Sequence, residues 1–301
     1  MPIDILPPLK GWASARYVSL RHTPTGSLFS PNVLVSPTPR LGVADTVLIA
    51  GVGEQLGTGL ARVFAGTGPD RSAGGADTES SATDNDHTVE TGGQSAEAGD
   101  RVALLARSVS TVESVAAEIE ADGGTATAVT ADLTDRERVA DAVEIVRDRF
   151  GSIDVVVHNA SATGGELDEA SSFARPVRTR IEGGGNLAAT VLPAMRDRGD
   201  GCLLFAGTTY AHDGSERLPG WGAAAFGTRG LARSLARRAG PDGVHVCYVA
   251  VGGTIPPANA QFQPASAMDP HRVGEAFRRL ATQPETAWSH EVDLRPSDYP
   301  P

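Results

Sequence analysis

The sequence predicts an α/β fold built on one doubly wound parallel sheet with helices on both faces, and three observations carry that reading. Short β-branched and apolar runs alternate with segments whose apolar residues recur at helical spacing, the pattern of strands buried on both faces and joined by crossover helices. A glycine-rich turn separates the first such run from the first helical segment. The chain has 301 residues, 40% of them hydrophobic, enough for a core of this size. Its longest apolar runs, around Val155 to Val157 and Val249 to Val251, fall far short of the roughly 18 residues of a membrane span.

Thr46 to Ala50 reads as the first strand and, after the glycine turn, Leu56 to Phe64 as the first helix. Val102 to Ala106 is the second strand, Thr111 to Ala121 a helix and Thr125 to Thr130 the third strand. Arg136 to Phe150 is helical because Val139, Val143, Val146 and Phe150 share one face, and Ile153 to His158 is the fourth strand. Helix Asn186 to Arg198, strand Cys202 to Ala206, helix Ala223 to Ala239 and strand Val244 to Val251 continue the alternation. Asp269 and Pro270 open a helix over Arg272 to Thr282. Trp288, His290 and Val292 alternate with polar neighbours, which suggests a last strand that Arg295 ends or ties to an acid.

The domain so defined runs from about residue 45 to 297 and leaves a short tail, 298–301. Residues 1–44 hold Lys10, Arg16, Arg21 and Arg40 against Asp4, a net of +3 in a chain of net −11. This stretch is proline-rich, without a sustained period and without the apolar core of a secretory signal, so it reads as an irregular N-terminal extension. Residues 67–99 carry Asp70, Asp77, Glu79, Asp84, Asp86, Glu90 and Glu97 against Arg71 alone, the composition of a disordered acidic insertion tolerated on the surface. The acidic total argues against a nucleic acid or an anionic membrane as partner. Cys202 and Cys247, the only cysteines, have neither zinc-ligand spacing nor a disulfide framework, and read as small buried hydrophobes in a reducing, cytoplasmic setting. Lys10 is the only lysine, a bias that with the acidic total resembles proteins of salt-loving or GC-rich microbes. No chemistry that needs a lysine amine is available beyond it.

The turn after the first strand reads Gly51, Val52, Gly53, Glu54, Gln55, Leu56, Gly57 and leads directly into a helix. Glycines there let the backbone turn sharply and approach a pyrophosphate, whose charge is met by the free amides and positive dipole of the helix N-terminus. On these residues the chain resembles the short-chain dehydrogenase/reductase superfamily, over essentially all of 45–297, and the sheet is expected to be Rossmann-type. The family's Thr-Gly-x-x-x-Gly-x-Gly falls on Ala50 to Gly57, with Gln55 in place of the middle glycine. The resemblance implies a dinucleotide site at Gly51, Gly53, Gln55, Leu56 and Gly57, then Arg107, then Asp132 and Leu133 after the third strand, then Asn159 and Ala160 after the fourth. The second strand ends Leu105, Ala106, Arg107, Ser108, with no acid for the ribose hydroxyls and an arginine suited to a 2′-phosphate, which favours NADP(H) over NAD(H). Arg107 also fits an exposed helix-start residue, and Asp132 an ordinary helix cap. His158 and Ser161 depart from the family's Asn-Asn-Ala-Gly.

The catalytic positions depart further. In the family a Tyr hydroxyl exchanges the proton, a Lys four residues later supports it and a Ser orients the carbonyl. Counting back from Gly240 and Pro241 puts Trp221 at the Tyr, Ala225 at the Lys and Thr208 at the Ser. Arg180 stands at the position of the family's helix Asn. Thr208 is a substitute hydroxyl, and Tyr210, followed by His212 and Asp213, is the candidate replacement acid; each also reads as pocket wall or loop surface. Three functions follow: an NADP(H)-dependent oxidoreductase of a carbonyl or alcohol with a degenerate site, a non-catalytic dinucleotide-binding sensor or partner subunit of an active reductase, and a relic of the fold that binds no dinucleotide. The resemblance also implies a homo-oligomer, dimer or tetramer, through the helices 186–198 and 223–239. The segment 255–268 carries no charge to select a substrate, and its Pro256, Pro257, Phe262 and Pro264 suggest a small or apolar molecule.

Overall fold

In a computed structural model of the chain, residues 45–67, 99–256 and 267–298 are described. The expected extension 1–44, all but the ends of the acidic insertion 67–99, most of the segment 255–268 and the end of the tail lie outside them. Seven strands form one parallel sheet: β1 (Thr46–Ala50), β2 (Arg101–Ala106), β3 (Thr125–Thr130), β4 (Val155–His158), β5 (Gly201–Thr208), β6 (Val244–Val251) and β7 (Glu291–Leu294). Their spatial order is β3-β2-β1-β4-β5-β6-β7. The connections therefore reverse direction between β1 and β4, which opens a crevice beyond the carboxyl ends of those strands.

Helices α1 (Leu56–Phe64), α2 (Val109–Ala121) and α3 (Arg136–Phe150) lie close to their expected bounds. Asp135 caps α3 by accepting from the amides of Glu137 and Arg138, both at 3.1 Å. Beyond β4 come α4 (Ala170–Val177), α5 (Gly183–Arg198), the single turn α6 (Tyr210–Asp213), α7 (Pro219–Ala239) and α8 (Pro270–Ala281). One core lies between the sheet and α3, α5 and α7, the other between the sheet and α1, α2 and α8. Both cysteines are buried and free, and no described helix is long and apolar enough to cross a membrane.

Two expectations are corrected. The helix expected from Asn186 extends back to Ala170, because α4 runs through a π-helical turn, Arg178–Glu182, into α5. Gly183 to Gly185 resemble a helix breaker in the sequence, yet Gly183 and Gly184 sit inside the helix. A Cβ on Gly184 would stand 3.1 Å from Phe205 and 3.3 Å from His158, so the missing side chain is what lets the helix approach the sheet. The last strand is also later than expected. Trp288 and His290 stand before β7, and Trp288 stacks on His245 with ring centroids 5.1 Å apart and planes 7° from parallel; that ring contact, rather than alternation along a strand, fixes its place. Arg295 does pair with an acid, Asp293, at 2.6 Å.

At the far end of α1 the chain closes on itself across the acidic segment. The Asp100 amide donates to the Phe64 carbonyl at 2.9 Å and the Arg101 amide to that of Asp45 at 2.9 Å. The exit from α1 and the entry to β2 are thereby pinned together.

Candidate functional site

The glycine turn is shaped by its neighbours. Gly51 has φ +103°, and a Cβ there would lie 2.2 Å from the Ala160 amide nitrogen, so only glycine fits. Its amide donates to the Leu105 carbonyl at 2.8 Å, and its carbonyl accepts from Asn159 Nδ2 at 2.7 Å. The Asn159 amide donates to Ala50 at 2.7 Å. Asn159 thus ties the end of β4 to the turn after β1. Gly57 is dictated by packing as well, since a Cβ would meet the Val52 Cα at 2.7 Å. Gly53 is different: apart from its own chain neighbours, no atom of the described residues lies within 4 Å of where its Cβ would be. The fold gives no reason for that glycine, whereas a ligand lying against the backbone does.

Helix α1 opens at Gln55 with no side-chain cap, which leaves amides at its first turn directed at the crevice. All ten sequence-predicted dinucleotide residues, Gly51, Gly53, Gln55, Leu56, Gly57, Arg107, Asp132, Leu133, Asn159 and Ala160, line one cavity of about 380 Å³ with Ser108, Ser161 and Thr179. Gln55 is exposed and also borders a second groove, between α1, α2 and α8. Arg107 is exposed at the end of β2. Asp132 Oδ1 accepts from the Thr134 amide at 2.9 Å and the Thr134 hydroxyl at 2.8 Å. That turn holds its carboxyl below the usual range, with Arg107 and Arg178 adding to the effect. One oxygen therefore serves the local turn and the other remains for a ligand. Leu133 is buried, its carbonyl held by Asn186 Nδ2 at 2.9 Å. These residues fit an adenine dinucleotide: free helix amides for a pyrophosphate, an exposed arginine for a 2′-phosphate and an unfilled glycine surface between them.

The catalytic positions lie outside this lining. Thr208 ends β5, where its amide donates to the Tyr248 hydroxyl at 3.1 Å and that hydroxyl donates to the Thr208 carbonyl at 3.0 Å. Thr208 Oγ1 accepts from the Tyr210 amide at 3.4 Å, and the Tyr210 side chain is exposed. His212 Nε2 lies 3.6 Å from Asp293. Trp221 opens α7 and donates from Nε1 to the Ala162 carbonyl at 3.0 Å, while Ala225, one turn on, is fully buried. Arg180 emerges from the π-helical turn and is only 3% exposed. Its Nη2 donates to the Ala206 carbonyl at 2.6 Å, and its guanidinium stands 5.2 Å over the Trp221 ring. His158 is sealed against Phe205 with neither ring nitrogen in a hydrogen bond; burial and then the Arg180 charge push its pKa down to about 4. It is therefore neutral near pH 7 and is no proton donor.

Sequence reasoning missed Tyr248, which reads as one more apolar position of β6. Its hydroxyl braces Thr208, and only the register of Gly207 with Ala250 and Thr208 with Val251 brings the two together.

A family model described as short chain dehydrogenase matches residues 88–266. Among curated proteins, the chain is 28% identical over 191 residues, 63% of this chain and 75% of the other, to the (2S)-[(R)-hydroxy(phenyl)methyl]succinyl-CoA dehydrogenase subunit BbsC of Thauera aromatica. It is 24% identical over 208 residues, 66% of this chain and 88% of the other, to an uncharacterized oxidoreductase of Staphylococcus aureus. Among solved structures, an alcohol dehydrogenase from the archaeon Thermococcus sibiricus complexed with 5-hydroxy-NADP aligns with a TM-score of 0.68 at 21% identity, covering 86% of this chain and 99% of that one. A metagenomic short-chain oxidoreductase in complex with NADP aligns with a TM-score of 0.65 at 22% identity, covering 84% and 97%.

Proposed function

The chain belongs to the short chain dehydrogenase family, and on that premise we propose that it binds NADP(H) in the crevice between β1, β2 and β4 and works as a slow oxidoreductase on a carbonyl or alcohol, without the family's Tyr–Lys relay. The observation that supports the binding reading best is Gly53, a glycine that no neighbour among the described residues requires, in the lining of a cavity that all ten expected residues share. In this reading the free amides of α1 hold the pyrophosphate, Arg107 pairs with the 2′-phosphate and Asp132 contributes its second oxygen on the adenine side. NADP(H), when bound, supplies or accepts a hydride. Thr208, whose Oγ1 accepts from the Tyr210 amide, keeps its own proton free to orient a substrate oxygen. Tyr210 and water are the remaining proton sources. Loss of general acid catalysis costs typically about 10²- to 10⁴-fold in rate, which slows such a reaction without abolishing it.

A second reading has its own support. Trp221 and the fully buried Ala225 leave no acid at the relay, and the relative in Thauera aromatica is named as a subunit of a dehydrogenase. The same binding site then serves a sensor or a partner subunit of an active reductase.

Titration of the purified protein with NADPH and with NADH, followed by fluorescence or heat, tests the binding. NADPH binding with NADH much weaker is the expected result; binding of neither by folded protein overturns both readings. Turnover of NADPH against a panel of ketones and aldehydes then separates them, with slow oxidation expected of the enzyme and none of the subunit.

A further inference from the structure

Arg180 is nearly sealed from solvent, yet it faces no carboxylate within ion-pair distance among the described residues. A guanidinium does not shed its proton in a protein, so the charge is buried and uncompensated. Burial pulls its pKa down, Tyr248 pulls it back, and no carboxylate of the described residues contributes. His158, the other titratable side chain facing it, is neutral. What holds the guanidinium is one carbonyl, Ala206, and one ring face, Trp221. Both fix its direction and neither cancels its charge. Buried charges persist in folds when something pairs with them.

The three nitrogens are not equivalent. Nε is sealed without a partner and Nη2 is spent on Ala206. Nη1 is neither bonded nor sealed, so the residue's slight exposure leaves it approachable. The preceding residue, Thr179, lines the proposed dinucleotide cavity. Arg180 itself is not part of that lining: it follows Thr179 on a π-helical turn, an irregularity frequent at functional sites, and its guanidinium is directed to the end of β5 and to Trp221.

From this we propose that Arg180 recognises a small carboxylate, held by Nη1 at the end of β5 near Trp221, with the ligand's charge neutralising the guanidinium. The inference rests on the reading of the cavity as a ligand cleft and adds the chemical class of the second ligand. A planar monoanion fits a single open donor with a neutral surround. A tetrahedral phosphate dianion, with three oxygens to satisfy, does not.

The test is a titration with 2-oxobutanoate, with butanone as its uncharged counterpart and inorganic phosphate as a competing anion, each run with and without NADPH. Calorimetry and the tryptophan fluorescence report binding, the latter because Trp221 lies against the guanidinium. Binding of 2-oxobutanoate but not butanone, weakened about tenfold or more in Arg180→Met and less in Arg180→Lys, is expected. Arg180→Met should melt no lower than the parent, because it removes an uncompensated charge; a lowered midpoint with unchanged carboxylate affinity would make Arg180 a structural clasp and overturn the proposal. Absence of binding, equal binding of butanone, or phosphate competing as well as the carboxylate also overturns it. Failure of NADPH alone to bind counts against the dinucleotide reading, while the carboxylate arm without NADPH still decides this one.

Discussion

Around the carboxyl ends of β1, β2 and β4 the backbone leaves a surface bare, whereas around the ends of β5 and β6 side chains have filled the space. On the first side Gly53 fronts open volume and the α1 amides lack a cap. On the second, Arg180 lies over the Trp221 ring, Tyr248 bonds to Thr208, and His158 leans in from the end of β4 against Phe205. In the proposed reading, the first keeps the residue types that dinucleotide binding demands and the second lacks the acid that proton transfer demands. Binding a dinucleotide depends on backbone geometry and a few charges, while proton transfer depends on two specific side chains. A chain can therefore lose the second and keep the first.

The largest expected effect breaks the first region. Gly51→Ala forces a side chain into a positive φ and onto the Ala160 backbone, and should cost about 4 kcal/mol or more in denaturant unfolding. Gly53→Ala sharpens the contrast, with stability within about 0.5 kcal/mol of the parent and a clear loss of NADPH affinity; a large stability loss would mean that Gly53 is structural.

Next comes acid sensitivity in the second region. His158 has a folded pKa near 4 against 6.5 for a free histidine, so the unfolded chain binds the extra proton. Stability on this account is full above pH 6.5 and falls on the order of 3 kcal/mol as pH drops toward 4. Asp100 at the start of β2 has the opposite sign. Burial raises its pKa from 3.8 to about 6, so its contribution is full below pH 3.8 and is lost as pH rises through 6. Across pH 4 to 7 the two contributions largely offset each other, so the unfolding midpoint should rise with pH in Asp100→Asn, where only the His158 contribution is left, and fall with pH in His158→Gln, where only the Asp100 contribution is left.

Arg107→Ala should weaken NADPH about tenfold to hundredfold and leave NADH unchanged; equal loss for both would deny it a phosphate. The smallest effect is Trp221→Phe, which drops the hydrogen bond to Ala162 but keeps a ring under Arg180, at about 1 kcal/mol of stability.

The sheet was legible because its central strands β1, β4 and β6 are buried on both faces and read as continuous apolar runs, with helices of clear period between the strands. The cavity lining was legible for a related reason: its residues stand at strand ends and at one turn, places that the alternation itself locates. What escaped was built by contacts across the sheet. Helix α4 carries Pro176 and polar residues and leads through a π-helical turn into three glycines, so no period marks it. Tyr248 meets Thr208 only through strand register, and Trp288 leaves its expected strand for the face of His245. The inward turn of Arg180 has no local signal either, since an arginine at that position reads as surface until the helix is seen to continue.

The bond from Asp100 to Phe64, across the ends of the acidic segment, makes the first βαβ unit a natural grafting port. Residues 62 to 67 and 99 to 101 meet at one point, so the two ends that flank the acidic segment are held together by the domain itself. Loop-closure entropy changes by only about 0.6 kcal/mol per doubling of length. A short glycine-serine bridge, a reporter domain or a new pair of termini could therefore be set there while the crevice at the opposite end of β1 keeps its geometry.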